Sequence, residues 1–274
     1  MVGTNHSALG VDKWLSNTLI LEADVMHSRP GALFGTPSIA AIVGSTNRLG
    51  GTFLGSLRLQ NKENKEMIED VKGIVRERIE AWYLSQKKLP ENILYYRDGV
   101  SDSQYNAVKN EELREIYKGF NLFAEQLQAR SMKPPQVNLT AIVVTKRHNT
   151  RFFPGTPEIK EPKQGNCAPS TLVEQGVTSP YFTEFFLQSH FGLQGTAKPA
   201  KYFVLQNDIQ GMTVDELQDL TNRLNHAYAR ATKGVSYAMP AYYADRLCER
   251  GRCYIREFLV PSKEDREEQD SRRR

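Results

Sequence analysis

Cysteine is scarce in this chain of 274 residues: there are three, an odd number that cannot form a paired disulfide framework. Cys248 and Cys253 are separated by four residues, with no second pair or histidine doublet beside them, so they make no zinc motif and read as structural. Long apolar runs are absent as well. The longest, Ile39-Ala-Ala-Ile-Val43, is far short of the roughly 20 residues a membrane helix needs, and the N-terminus has no signal-peptide pattern. A reducing, cytoplasmic setting without a membrane partner is the expectation. The sequence also lacks a Gly-x-Ser-x-Gly elbow, a Walker loop and a Rossmann loop, which lowers the hydrolase-triad, nucleotide-hydrolase and dehydrogenase readings.

What is present is ordinary in composition. Hydrophobic residues make up 39% and charged residues 25%, which excludes disorder and low-complexity scaffolds, and the length suits one large α/β domain or two small ones, with no domain boundary visible over 1–260. The net charge of +4 is compatible with nucleic acid without requiring it. Residues 261–274 hold five basic and five acidic side chains and almost nothing apolar, and read as a solvated tail.

Strand-like runs at Thr18–Val25, Ser38–Ser45 and Thr52–Gln60 predict a three-stranded meander, turning at Asn47-Arg-Leu-Gly-Gly51. Apolar residues at helical spacing predict a helix from Glu66 to Leu84, which Pro90 prevents from continuing. A short strand, Asn92–Arg97, is followed by an amphipathic helix over 103–130 and a β-branched strand, Leu139–Thr145. Beyond a long Gly/Pro-rich connection lie a strand at Tyr202–Leu205, a capping box at Thr213-Val-Asp-Glu216 opening a helix through Tyr228, and a last helix from Pro240. Strands in a meander, then strands alternating with helices, predict a mixed sheet with helices on its faces.

Asp24 and Asp98 each end an apolar strand, the place where open α/β sheets bind ligands. Two readings stand: each caps the next turn, or several carboxylates converge on a hard, oxygen-preferring cation such as Mg²⁺. Lys146-Arg-His-Asn-Thr-Arg151 follows a strand and is either a phosphate-binding loop or a solvated one. Tyr228 reads as core, while Tyr242 stays open between core and RNA contact.

Four segments occur in one order: Tyr95-Tyr-Arg-Asp-Gly-Val-Ser101, Lys146–Arg151, Ser189-His-Phe-Gly-Leu-Gln-Gly-Thr196 and Pro240-Ala-Tyr-Tyr-Ala-Asp245. Together they resemble the PIWI domain of eukaryotic Argonaute proteins, most closely the filamentous-fungal quelling type. The resemblance runs from about Thr4 to about Ile255. It implies an RNase H-like fold, a mixed five-stranded sheet flanked by helices, and a small-RNA-guided endoribonuclease. Such an enzyme leaves a 5′-phosphate and a 3′-hydroxyl by two-metal hydrolysis with Mg²⁺, or Mn²⁺ as an alternative.

The resemblance also implies roles for individual residues. Asp24 matches the acid of a Gly-x-Asp-Val-Thr-His-Pro motif, here Glu22-Ala-Asp-Val-Met-His27, so that Met26 replaces Thr and the Pro comes later. Asp98 matches the second acid, and Asp245 stands where animal members often carry His; Asp24, Asp98 and Asp245 are the implied metal ligands. Glu66 completes the catalytic tetrad, with Glu63 as runner-up. Lys146, Arg147, His148, Arg151, His190, Tyr228, Arg230, Ser236 and Tyr242 match guide-backbone positions, and Arg250 and Arg252 the position reaching the guide 5′-phosphate. The implied partners are a guide RNA, its complementary target, a MID domain that this chain lacks, and Gly-Trp-rich silencing proteins. A silencing module that recruits such proteins without cutting is the alternative function.

Overall fold

The computed structural model describes residues 13–28, 36–61, 66–127, 135–156 and 165–259. The runner-up Glu63 and the tail 261–274 lie outside these residues.

Eight strands form one mixed sheet in the order β3-β2-β1-β4-β5-β8-β7-β6. The meander is β1 (Thr18–Met26), β2 (Ile39–Ser45) and β3 (Phe53–Leu59), all antiparallel. Strands β4 (Asn92–Asp98) and β5 (Asn138–Thr145) then run parallel to β1. These first five strands make the RNase H-like unit. The sheet does not stop at five: β8 (Ala200–Asn207) pairs antiparallel with β5, and β7 (Glu184–Gln188) and β6 (Thr171–Val173) follow outward. The last two arise within the Gly/Pro-rich stretch read as a connection, where turn residues mask the apolar run Glu184-Phe-Phe-Leu-Gln188.

Helices cover both faces. On one face lie α1 (Val71–Gln86) and α3 (Leu113–Leu127), whose Ile74, Trp82, Ile116 and Phe120 pack onto Leu19, Leu21, Tyr95 and Leu139. On the other, α4 (Val214–Asn225) sets Leu217, Leu220 and Leu224 against Ile20, Leu94, Ile142 and Val144, while α5 (Met239–Ile255) crosses β1 and β2 with Cys248 on Ile39 and Ala41. Fully burying a side chain such as Phe120 or Leu139 contributes about 1.5–3 kcal/mol.

Three boundaries differ from the sequence reading, each for a local reason. Helix α1 begins at Val71 instead of Glu66, because Asp70 caps it by accepting from Gly73 N at 3.0 Å and leaves 66–70 outside the helix. The second long helix is entered through a 3₁₀ turn at Asp102–Gln104, the single turn α2 (Tyr105–Ala107) and a π turn at Val108–Glu112 before α3. The capping box at Thr213 and Glu216 is formed, but α4 ends at Asn225, so Tyr228 folds back against the α5 side as a core residue.

Candidate active site

The parallel arrangement of β1, β4 and β5 brings their C-terminal ends to one edge. The register pairs Ala23 with Arg97, so Asp24 and Asp98 stand side by side on adjacent strand ends. Lys146 and Arg147 leave the end of β5 beside them. These residues line a cleft of about 910 Å³ together with Glu66, Asp245, Arg252, His27 and Tyr237. Asp245 and Arg252 are seven residues apart on α5 and therefore share a side of the helix.

Gly99 shows how close the acids come. It sits at φ +88°, and a Cβ there would lie 2.8 Å from Glu66 Oε1 and 3.7 Å from Asp24 Oδ1. Only glycine both adopts this backbone freely and leaves the carboxylates their space. Its N–H donates to Asp98 Oδ1 at 2.7 Å.

Glu66 is held from two directions. His27 Nε2 donates to Glu66 Oε2 at 2.5 Å, with His27 Nδ1 2.9 Å from Ser38 Oγ. From beneath, the fully buried Arg97 donates to the Glu66 carbonyl at 2.5 Å and to the Asp98 carbonyl, and its guanidinium is 3.7 Å from Glu66 Oε1. Arg97 is itself anchored by Glu112 at 3.0 Å, a carboxylate the π turn presents inward and to which Tyr95 Oη also donates. The spacing that suggested an earlier helix start is thus overridden by a loop, and the loop is what delivers Glu66 to the acids.

The electrostatics follow from burial and crowding. Desolvation, then the charge of Asp98, raises Asp24 to about 7. Desolvation raises Asp98 as well, offset by the Gly99 N–H and by Arg97 and Arg147, and Asp245 is raised by burial and by Glu249. Glu22, on the same face of β1 as Asp24, is fully buried, and neither carboxylate oxygen has a hydrogen-bond partner. Carboxylates in this state suit a divalent cation that prefers oxygen. Among the described residues no three His, Cys, Asp or Glu side chains group closely enough to hold a metal ion by themselves.

The residues read as guide contacts divide. Lys146, Arg147 and Arg252 line the acidic cleft, with Lys146 Nζ 5.6 Å from the Tyr237 ring and Arg252 donating to the His27 carbonyl. Tyr237 stacks on Tyr242 at 4.4 Å and Tyr242 on Tyr228 at 5.0 Å, so the three tyrosines form one aromatic wall, to which Ser236 Oγ is tied 2.7 Å from Tyr242 Oη. His148 instead donates to the Pro199 carbonyl at 2.9 Å, and Arg151 donates to the His148 and Thr150 carbonyls, which shapes the basic loop. Arg230 is exposed. Arg250 lies in a separate hollow of about 400 Å³, its guanidinium 5.3 Å over the Tyr254 ring. The sequence reading had not singled out His27, Arg97, Glu112 or Tyr237 for a role: Arg97 directly precedes Asp98, but its hold on Glu66, like that of His27, joins residues distant along the chain.

Burial, then the charge of Lys146, pushes His190 down to about 4. Between pH 6.5 and 4 the unfolded chain binds a proton at this imidazole that the folded chain refuses, so stability falls as pH falls through that window and is unaffected above it. Thermal melting at pH 7 and pH 5 should show His190→Gln losing less stability on acidification than the wild type; an equal loss would refute this.

The fold and cleft define an RNase H-like domain with a rim of cations around its acids. A Piwi domain model matches residues 1–256, and the chain belongs to the Piwi domain family. It is similar to rice protein argonaute 3 (Oryza sativa subsp. japonica), 38% identical over 86% of this chain and 20% of that protein. It is also similar to the structure of Kluyveromyces polysporus Argonaute with a guide RNA, TM-score 0.78 and 33% identity over 87% of this chain and 27% of that one. The Neurospora crassa QDE-2 MID-PIWI structure, at TM-score 0.54 and 21% identity over 96% of this chain and 58% of that one, agrees in fold alone. The chain spans about a fifth of the length of the curated relatives it matches.

Proposed function

We propose that this chain is the cutting domain of a small-RNA-guided endoribonuclease of RNA silencing, acting in the cytoplasm. The observation that carries the reading is the meeting of Asp24, Glu66, Asp98 and Asp245 in one cleft whose rim holds Lys146, Arg147 and Arg252. Asp24, Asp98 and Asp245 would hold Mg²⁺ or Mn²⁺, with Glu66 completing the set. When bound, two such ions supply an activated water and charge neutralisation at the leaving 3′-oxygen, giving a 5′-phosphate and a 3′-hydroxyl.

The chain's own residues do the positioning. Lys146, Arg147 and Arg252 attract phosphates to the cleft without reading bases, leaving target choice to pairing between guide and target. Arg97 and His27 fix Glu66 from opposite sides, and Gly99 leaves the room into which the acids reach. A MID domain would complete the guide 5′-phosphate site with Arg250 or Arg252, and Gly-Trp-rich proteins are the proposed silencing partners.

The test uses the full-length protein with a 5′-phosphorylated guide and a complementary labelled RNA. Cutting at one phosphodiester in Mg²⁺ and none in EDTA is the expected outcome. One observation favours a second reading, a recruiting module that does not cut: the described acids form no closed group of three ligands. Tight target binding with no cut in Mg²⁺ or Mn²⁺ would establish that reading and sink the first.

A further inference from the structure

Tyr237 alone of the three wall tyrosines lines the acidic cleft, and the catalytic reading gives it no task. It sits in the bend that leads into α5, in a segment tied down at Val235: the Val235 N–H donates to the Asn225 carbonyl at 2.8 Å, and the Val235 carbonyl accepts from Ser189 Oγ. Its ring lies nearly parallel to that of Tyr242, 15° between planes at 4.4 Å, and Lys146 Nζ is 5.6 Å from its centroid. Stacking of this kind fixes where the hydroxyl at the rim of the ring can be.

The two hydroxyls of the stacked pair have different fates. That of Tyr242 is engaged within the wall, where Ser236 N donates to it at 3.2 Å and Ser236 Oγ lies beside it at 2.7 Å. That of Tyr237 has no hydrogen-bond partner among the described residues. Burial, then the charge of Asp98, holds the Tyr237 phenol well above its usual range, so at neutral pH the group keeps its proton and is a donor. Phenylalanine would stack and back Lys146 equally well; the hydroxyl serves neither contact. What the cleft has to seat between Lys146 and the acids is a phosphodiester, an anion whose two non-bridging oxygens accept hydrogen bonds. We propose that Tyr237 is a further substrate-contacting residue of the cleft, its hydroxyl donating to a non-bridging oxygen of the phosphodiester that is cut. Lys146 supplies charge to that phosphate, and the fixed hydroxyl sets its orientation for attack. The inference rests on the catalytic reading above and deepens it.

Tyr237→Phe keeps the ring, its stacking and its contact with Lys146, and removes the hydroxyl alone. Full-length protein loaded with guide is given targets whose cleaved phosphate carries oxygen, or sulfur at one or the other non-bridging position. Single-turnover cutting is followed in Mn²⁺, which tolerates sulfur as a ligand better than Mg²⁺ does. On the oxygen target the variant should cut about 10- to 100-fold more slowly, the loss of one hydrogen bond to a charged acceptor, at unchanged guide affinity and melting temperature. Sulfur at one of the two positions should slow the wild type more than the variant, which has no hydrogen bond left there to weaken. A sulfur penalty equal in both proteins at both positions, or a variant that cuts at the wild-type rate, would overturn the inference while leaving the catalytic reading intact. Weaker guide binding with an unchanged rate would move the hydroxyl to the guide backbone and overturn it as well. Wild type that cuts no target in Mg²⁺ or Mn²⁺ would overturn both.

Discussion

Asp98→Ala is expected to slow cutting by on the order of 10³-fold or more while the guide-loaded protein keeps its affinity for a complementary target. Neutralising the charge that develops during phosphodiester hydrolysis depends on divalent cations, an effect of several kcal/mol, and each 1.36 kcal/mol is a factor of ten in rate. Asp98 ends β4 beside Asp24, with its carboxylate aimed by the Gly99 N–H at 2.7 Å. Target binding depends on base pairing and backbone cations, neither of which the substitution touches. Unfolding would not explain the loss. Asp98 is a like charge that helps push Asp24 up to about 7, so removing it relieves repulsion and should hold or raise the metal-free melting temperature. Single-turnover cleavage, filter binding and melting on one preparation separate these effects. Cutting at the wild-type rate would place the reaction somewhere other than this cleft.

The sheet was legible because β1, β2, β4 and β5 are short apolar runs ended by polar turns, and that ending also made Asp24 and Asp98 visible as strand-end acids. The parallel register then brings them together, a consequence of topology that no spacing along the chain contains. What stayed hidden depends on contacts between distant residues. Met67 and Ile68 continue the helical spacing of α1 backwards, so only the Asp70 cap reveals that Glu66 lies in a loop. The inward turn of Glu112 needs a π turn, which leaves no periodic trace of its own. Glu22 sits inside Leu19-Ile-Leu-Glu-Ala23 and reads as one polar residue in a strand. That it is buried without a partner emerges only once α5 lies over the sheet. The resemblance pointed to Glu66 independently of the helix start, because matching a motif does not depend on where a helix begins, and the structure places Glu66 on the cleft wall.

Arg97→Met should be the most destabilising single change in this region. Arg97 is fully buried, and its guanidinium ties together Glu112, the Glu66 carbonyl and the Asp98 carbonyl. Taking away one partner of a buried ion pair leaves the other charge uncompensated, at a cost of about 3–5 kcal/mol, whereas replacing both with apolar groups is often close to neutral. Glu112 is also 1% exposed and receives Tyr95 Oη at 2.9 Å and Ile68 N at 3.3 Å, so it cannot turn to water when Arg97 is gone. Adding Glu112→Leu to Arg97→Met should therefore recover much of the lost stability, a coupling that urea unfolding of the two single variants and the double variant measures. Cutting is expected to respond differently. The double variant still lacks the donor to the Glu66 carbonyl, so Glu66 keeps only its His27 contact at 2.5 Å and the rate should stay depressed after the fold is restored. Recovery of stability without recovery of rate would assign Arg97 two separable tasks, closing a buried charge network and setting the position of Glu66. Recovery of both together would reduce it to the first.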